Sequence, residues 1–269
     1  MRAPSRKEDT INSREDNISR RNHSNSAGKL FIVGIGPGGP LDRTRRAELA
    51  LAQSQVIVGY SRYLALIKVV TQGKELISSG MTKETERCRI AIEKALGGST
   101  VALVSSGDPG IYGMAGLALE LLGKADAYAP IEIVPGVTSA AAAAARLGAP
   151  LMLDFACISL SDLLAPWETI RQRLEATAAA DLVVALYNPK SRTRHRQLAE
   201  AAEIFRRYRP GDTPVGVCTA IGTEDETVAL SDIDHFLELE INMRSIVIVG
   251  NSSSRRINNW FVTPRGYKI

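Results

Sequence analysis

The residues of this chain best suited to chemistry fall in three glycine-rich loops and one basic stretch. The first loop is Gly34-Ile35-Gly36-Pro37-Gly38-Gly39-Pro40, after the apolar run Leu30-Phe31-Ile32-Val33. The second runs from Ser105 through Gly107-Asp108-Pro109-Gly110-Ile111-Tyr112-Gly113, after an apolar run at 100–104. The third is Pro135-Gly136-Val137-Thr138-Ser139, after 131–134. An apolar run that stops at glycines reads as a buried strand ending in a tight loop. Bare backbone there lets main-chain N–H groups approach a ligand. Asp108 can accept from a ribose or an amine, or it can close an Asx turn. Thr138 and Ser139 can cap the next helix or offer hydroxyls to polar ligand atoms. Lys190, Arg192, Arg194, His195 and Arg196 crowd what reads as the start of a helix after Tyr187-Asn188-Pro189. Positive charge there opposes the helix dipole, which points to a task such as holding carboxylates, against the plainer reading that most of these arginines form a solvated face.

Regular elements must carry these loops. Apolar spacing predicts helices over 44–54, over 82–96 with Thr82 as cap, over 114–122 and over 140–147. Pro166 starts another, with Trp167, Ile170, Leu174 and Ala178 on one face. Buried strands are expected at 55–58, 100–104, 131–134, 156–160, 181–187, 214–219 and 244–249, with a short one at 227–230. Strand and helix in alternation predict an α/β fold, with mostly parallel sheet covered on both faces and ligands at the carboxyl ends of the strands. The economical layout is a disordered N-terminal tail at 1–28, an α/β domain at 29–128, a second α/β domain at 129–269, and a ligand cleft between them.

Gly34, Gly36 and Gly39 fit the spacing G-x-G-x-x-G of dinucleotide sites. The strand at 55–58, however, ends in Gly59-Tyr60-Ser61-Arg62 with no carboxylate to hold a ribose, and Pro37 removes an N–H from the would-be cradle. A nicotinamide-dependent oxidoreductase is therefore disfavoured.

The 269 residues suit one large or two medium domains, and 45% are hydrophobic. No apolar run approaches the roughly 20 residues of a membrane span. No apolar signal-peptide core opens the chain, so a cytoplasmic protein without membrane contact is expected. The net charge is +4, of which residues 1–29 carry +3 through seven Lys/Arg against four Asp/Glu. The remainder is near neutral, which argues against a nucleic-acid partner. Cys88, Cys157 and Cys218 lie far apart, so buried thiols are expected rather than a metal site or a disulfide framework.

Taken together, GIGPGGP, SGDPGIYG and PGVTSA resemble the tetrapyrrole (corrin/porphyrin) methylase family over about residues 29–267. The longer stretches DFACISLSDLLAPWETIRQRL (154–174), ALYNPKSRTRHRQL (185–198), IVIVGNSSSRRI (246–257) and TPRGY (263–267) are similar to its branch acting at ring carbon 17. The resemblance implies a homodimer that binds S-adenosylmethionine and C-methylates precorrin-3B at carbon 17 with ring contraction, in cobalamin synthesis. The alternatives are the cobalt-bearing substrate of the anaerobic route or another precorrin. An RNA methylase of the same fold is disfavoured by the near-neutral body.

For the cofactor it implies Pro37 in the first loop, Gly107, Asp108 and Ile111 with Tyr112 nearby, and Thr138, Ser139 and Ala140 from the other domain. Leu186, Tyr187 and Asn188 lie beside it. Ala220 gives main-chain contacts to adenine, with Asn251 near it. Substrate carboxylates fall to Lys190, Arg192, Arg194 and Arg255. Ring contraction moves protons, and Asp154, Tyr112, Tyr187 and His195 are side chains of the right type. Thr219-Ala220 departs from the basic-residue-plus-Asn pair common in this branch.

Overall fold

The structure is a computed structural model that describes residues 28–125 and 128–268. The expected disordered tail at 1–28 thus lies, but for Gly28, outside the described residues. The chain divides into two compact units. One comprises the residues up to Ile35 together with Thr44–Gly136, the other Gly36–Arg43 with Val137–Ile269. Among the described residues, no helix is long and apolar enough to cross a membrane.

The first unit is built on a parallel sheet of β1 (Leu30–Gly34), β2 (Val56–Tyr60), β3 (Glu75–Ser79), β4 (Val101–Ser105) and β5 (Ile131–Val134), in the order β3-β2-β4-β1-β5. Its central strands are apolar throughout because both faces are covered. Leu30, Val58, Val101 and Leu103 pack under helices Glu84–Leu96 and Ala115–Lys124. Phe31, Ile57, Ala102 and Val104 pack under Arg45–Gln53 and Ser61–Leu66. The sequence puts the domain boundary at 128/129. In the structure β5 pairs with β1, Val33 opposite Val134, and the division falls after Gly136. The polar stretch before β5 reads as a linker, yet the strand beyond it completes the first sheet.

The second unit holds β6 (Gly148–Ala149), β7 (Phe155–Ser159), β8 (Val183–Tyr187), β9 (Pro214–Thr219), β10 (Thr227–Asp232) and β11 (Ser245–Val249), then β12 (Arg255–Ile257) and β13 (Trp260–Val262). Its main sheet has the order β10-β9-β11-β8-β7 and is mixed, not mostly parallel. β7 and β8 run parallel, whereas β11 runs antiparallel between β8 and β9. Strand direction is invisible in a run buried on both faces. Helix Ser139–Leu147 covers one face, and helices Trp167–Ala179 and Arg196–Arg206 cover the other.

Two helix starts differ from expectation. Thr82 does not cap its helix: it has φ +63°, its hydroxyl donates to Met81 O at 2.6 Å, and the helix begins at Glu84. The basic stretch opens a helix only at its last residue, Arg196, with His195 as the N-cap. Helix Arg196–Arg206 starts beyond Lys190, Arg192 and Arg194, which lie in the preceding loop, so the helix dipole makes no demand on their charge.

Candidate functional site

In the first unit the loop after β4 is locked to the loop after β5 by Asp108. Its Oδ1 accepts from Gly110 N at 2.8 Å, the expected Asx turn, and its Oδ2 accepts from Gly136 N at 3.1 Å. The two backbones touch: a Cβ on Gly136 would fall 2.0 Å from Gly107 O. Gly107 itself has φ +62°. Asp108 is therefore a clasp between two strand-end loops, with one main-chain N–H on each carboxylate oxygen. Ile111 and Tyr112 stand exposed beyond it. Tyr112 holds φ +53°, a conformation that an aromatic residue adopts only under local constraint.

In the second unit the end of β8 is organised in the same way. Tyr187 Oη lies 2.6 Å from Thr138 Oγ1 and accepts from Ala140 N at 3.1 Å. Thr138 flanks helix Ser139–Leu147 but makes no capping bond of its own, so the phenol of a distant residue caps the helix instead. Asn188, at φ +49°, donates through Nδ2 to Ser159 Oγ at 3.0 Å, and its carbonyl accepts from Arg194 Nη1 at 2.6 Å. Arg194 Nη1 also donates to Leu160 O at 3.0 Å, and Asp162 stands 3.9 Å from its Nε. The guanidinium is buried and holds the Asn188 loop from beneath. Burial lowers its pKa, partly offset by Asp162. Leu186 lies within the core, so only its main chain could meet a ligand.

Pro37 travels with the second unit, on the segment Gly36–Arg43. There the glycine loop packs on backbone: a Cβ on Gly38 would fall 2.2 Å from Ile221 O. That close approach explains the glycine without any phosphate. Asp42 Oδ2 and Glu226 Oε1 flank Arg146 at 3.3 and 3.0 Å, and Glu226 Oε2 accepts from Gly222 N at 2.6 Å. The Gly222 N–H, and then Arg146, hold the Glu226 carboxyl below the usual range.

Three expected residues are placed elsewhere or are already engaged. Ala220 has φ +54°, its N–H donates to Arg244 O at 3.0 Å, and its carbonyl accepts both Thr223 N and Thr223 Oγ1. Its main-chain polar groups are thus taken up within the protein rather than offered to an adenine. Asn251 is not near Ala220. It follows β11, which runs antiparallel to β8 and β9, so it emerges at the opposite end of the sheet, beyond a strand that alone rises about 17 Å. There its Nδ2 donates to Asp181 O at 3.1 Å, and its Oδ1 accepts from Ser253 N and from the Ser253 and Ser254 hydroxyls. Arg255 is held near that end, next to Ser254, whose hydroxyl donates to Asn251 Oδ1. Of the remaining polar candidates, Asp154 and Arg192 are exposed and Lys190 is half-buried. His195 is exposed with Nε2 2.8 Å from Arg192 O.

The loops that remain fit S-adenosylmethionine by the chemistry of their groups. In the first unit Gly107, Asp108, Ile111 and Tyr112, and in the second unit, taken by itself, Thr138, Ser139, Ala140, Tyr187 and Asn188, offer carboxylate, carbonyl and hydroxyl oxygens and aromatic rings at strand ends, and neither group includes a lysine or arginine. That is the donor set a cationic sulfonium tolerates. Sequence reasoning missed Arg87. It lies on the inward stripe of its helix beside Cys88, four residues before Ala91, and a charge on that stripe was a readable signal.

A family model described as Tetrapyrrole (Corrin/Porphyrin) Methylases matches residues 29–236. The chain is 45% identical over 240 residues to a "Probable cobalt-factor III C(17)-methyltransferase" of Salmonella typhimurium, covering 89% of this chain and 100% of that one. It is 38% identical over 248 residues to a "Precorrin-3B C(17)-methyltransferase" of Sinorhizobium sp, covering 89% and 97%. The solved structure of the methyltransferase CobJ superposes with a TM-score of 0.84 at 36% identity, covering 88% of this chain and 100% of that one. Some curated relatives are longer, and the chain spans about half of their length, 45% in one case.

Proposed function

The chain belongs to the Tetrapyrrole (Corrin/Porphyrin) Methylases, and we propose from this that it is an S-adenosylmethionine-dependent methyltransferase acting on carbon 17 of a corrin precursor in cobalamin biosynthesis. The observation that carries the reading is the 45% identity to the Salmonella protein over that protein's whole length. It favours cobalt-factor III as substrate. Precorrin-3B, the substrate first expected from the sequence motifs, is the second reading, supported by the Sinorhizobium relative and the likeness to CobJ. We place the enzyme in the cytoplasm as a homodimer.

S-adenosylmethionine supplies a methyl group already activated on a sulfonium. The protein's task is then to hold the donor, orient the ring carbon and exclude water. The Asp108 clasp fixes the loop that presents Ile111 and Tyr112. Tyr187 fixes Thr138, Ser139 and Ala140 at the start of their helix. Arg194 acts beneath Asn188 and not on a substrate carboxylate, which leaves Lys190 and Arg192 for that role. Ring contraction requires proton movement, and the exposed Tyr112 and Asp154 are the side chains for it.

Titration calorimetry with S-adenosylhomocysteine against NAD tests the donor. Saturable binding of the first alone is expected, and binding of NAD would overturn the reading. Turnover of cobalt-factor III against precorrin-3B then decides the substrate, with the larger kcat/KM expected for cobalt-factor III.

A further inference from the structure

A pocket of about 120 Å³ lies wholly within the first unit, outside the groups assigned above except at Tyr112. The strands make it. Inward positions on one sheet face are apolar along β2, β3 and β4 at Val58, Ile77 and Leu103, which are in register. Two residues later the same face carries Tyr60, Ser79 and Ser105. The core therefore turns polar at the carboxyl ends of three adjacent strands, where parallel sheets bind ligands.

Arg87 sits over this polar end and is only 3% exposed. Its Nε donates to Ser79 Oγ at 2.8 Å, its Nη2 to Gly80 O at 2.8 Å, and its Nη1 meets Met114 Sδ at 3.4 Å. All three partners are neutral, and no carboxylate among the described residues comes within salt-bridge distance. A buried guanidinium without a counter-ion is costly. Beside it Ser105, also 3% exposed, buries an Oγ that has no hydrogen-bond partner among the described residues. Buried polar atoms rarely go unsatisfied. Both residues line the pocket, together with Tyr60, Tyr63 and Met114. The volume is on the scale of one short carboxylate arm. Glu84, one turn before Arg87, borders the mouth and disfavours a second anion.

We propose that this pocket takes one carboxylate-bearing arm of the tetrapyrrole, with Arg87 as its counter-ion and Ser105 Oγ as its hydrogen-bond donor. The identity of the arm's owner rests on the proposed function; the carboxylate site itself does not. The methionine carboxylate of the methyl donor shares this chemistry and is the rival source.

The test uses Ser105→Val, which fills the pocket without breaking a hydrogen bond, alongside Arg87→Gln and Arg87→Lys. With cobalt-factor III, Ser105→Val and Arg87→Gln are expected to raise KM by roughly 10- to 100-fold, the equivalent of one lost charged hydrogen bond, with partial rescue in Arg87→Lys. Affinity for S-adenosylhomocysteine should stay within about twofold of wild type, since no donor contact is removed. An unchanged KM in Ser105→Val overturns the proposal, as does a loss of S-adenosylhomocysteine affinity in its place. A second measurement needs no turnover. Propionate, against sodium chloride of matched ionic strength, should raise the melting temperature of wild type and not of Ser105→Val. Equal shifts in both, or none in either, overturn the carboxylate site. A propionate effect confined to wild type, in a protein that methylates no tetrapyrrole, would keep the site and overturn only the reading of its substrate.

Discussion

The buried arginines of the two units meet different surroundings. In the second unit Arg209 donates to Gly250 O and Leu182 O, stands 3.8 Å from Asp181, and lies over the Phe205 ring at 4.9 Å. Desolvation pulls its pKa down to about 10 despite Asp181. Arg194 likewise meets two carbonyls and one carboxylate. Arg87, in the first unit, meets a hydroxyl, one carbonyl and a thioether, and borders a pocket. A guanidinium surrounded by carbonyls and a carboxylate is a strut, whereas one left with neutral partners beside a cavity awaits an anion. The difference predicts that removing the former costs stability and removing the latter costs binding.

The largest effect is expected at Arg209. Arg209→Leu strands two buried carbonyls, each worth about 1–3 kcal/mol, and should lower unfolding free energy by roughly 3 kcal/mol in urea melts. Ligand affinity of the folded fraction should not change. A loss of tetrapyrrole binding at full stability would break the comparison, because Arg209 would then behave as Arg87 is expected to.

Arg194→Met comes next and sharpens the comparison, since Arg194 is a strut beneath a candidate site. A loss of about 2 kcal/mol is expected, with S-adenosylhomocysteine affinity reduced by loosening of the Asn188 loop. If stability holds while the tetrapyrrole KM alone rises, Arg194 is a substrate contact after all, as the sequence motif implied.

Tyr187→Phe removes the acceptor of Ala140 N and the partner of Thr138 Oγ1, and is expected to cost about 1–2 kcal/mol together with donor affinity. Asp108→Ala should behave similarly, because the carboxylate clasps Gly110 N and Gly136 N. From the sequence, Asp108→Ala should weaken cofactor binding far more than folding. The clasp predicts that both fall together, and calorimetry beside a melt separates the two outcomes.

What could be read from the sequence follows from what residue types encode. The strand-to-glycine junctions at Gly34, Gly107 and Gly136 mark real strand ends, because apolar runs and glycines are local signals. The reversed direction of β11 is not local, and that reversal carries Asn251 to the far end of its sheet. β3 escaped notice because it is an edge strand with Glu75, Leu76 and Ser78 exposed and no apolar run. Asp108 stood out as a carboxylate in a loop, but its partner Gly136 lies 28 residues on, and only the fold brings them together. Ser105 and Arg87 meet for the same reason. Of the three thiols expected to be buried, Cys88 and Cys218 are, while Cys157 is only half-buried: burial pushes Cys88 to about 11 and Cys218 to about 12, so both should resist alkylation at neutral pH.

The smallest effect is expected where the comparison has its surface counterpart, at Arg146 between Asp42 and Glu226. This guanidinium is partly exposed and fully paired, so it should contribute little, about 0–1 kcal/mol, as surface pairs do. Its signature is the pH profile. The folded Glu226 carboxyl titrates below the 4.5 of an unperturbed Glu. Its stabilisation is therefore fully present above that value and is lost as pH falls through the folded pKa. Glu226→Gln should leave stability at pH 7 slightly lower and make the acid limb below 4.5 shallower than in wild type. Acid unfolding curves that superpose would show that the Gly222 N–H and Arg146 do not stabilise the charged form. The tie between the first glycine loop and the 220–226 turn would then rest on backbone packing at Gly38 alone.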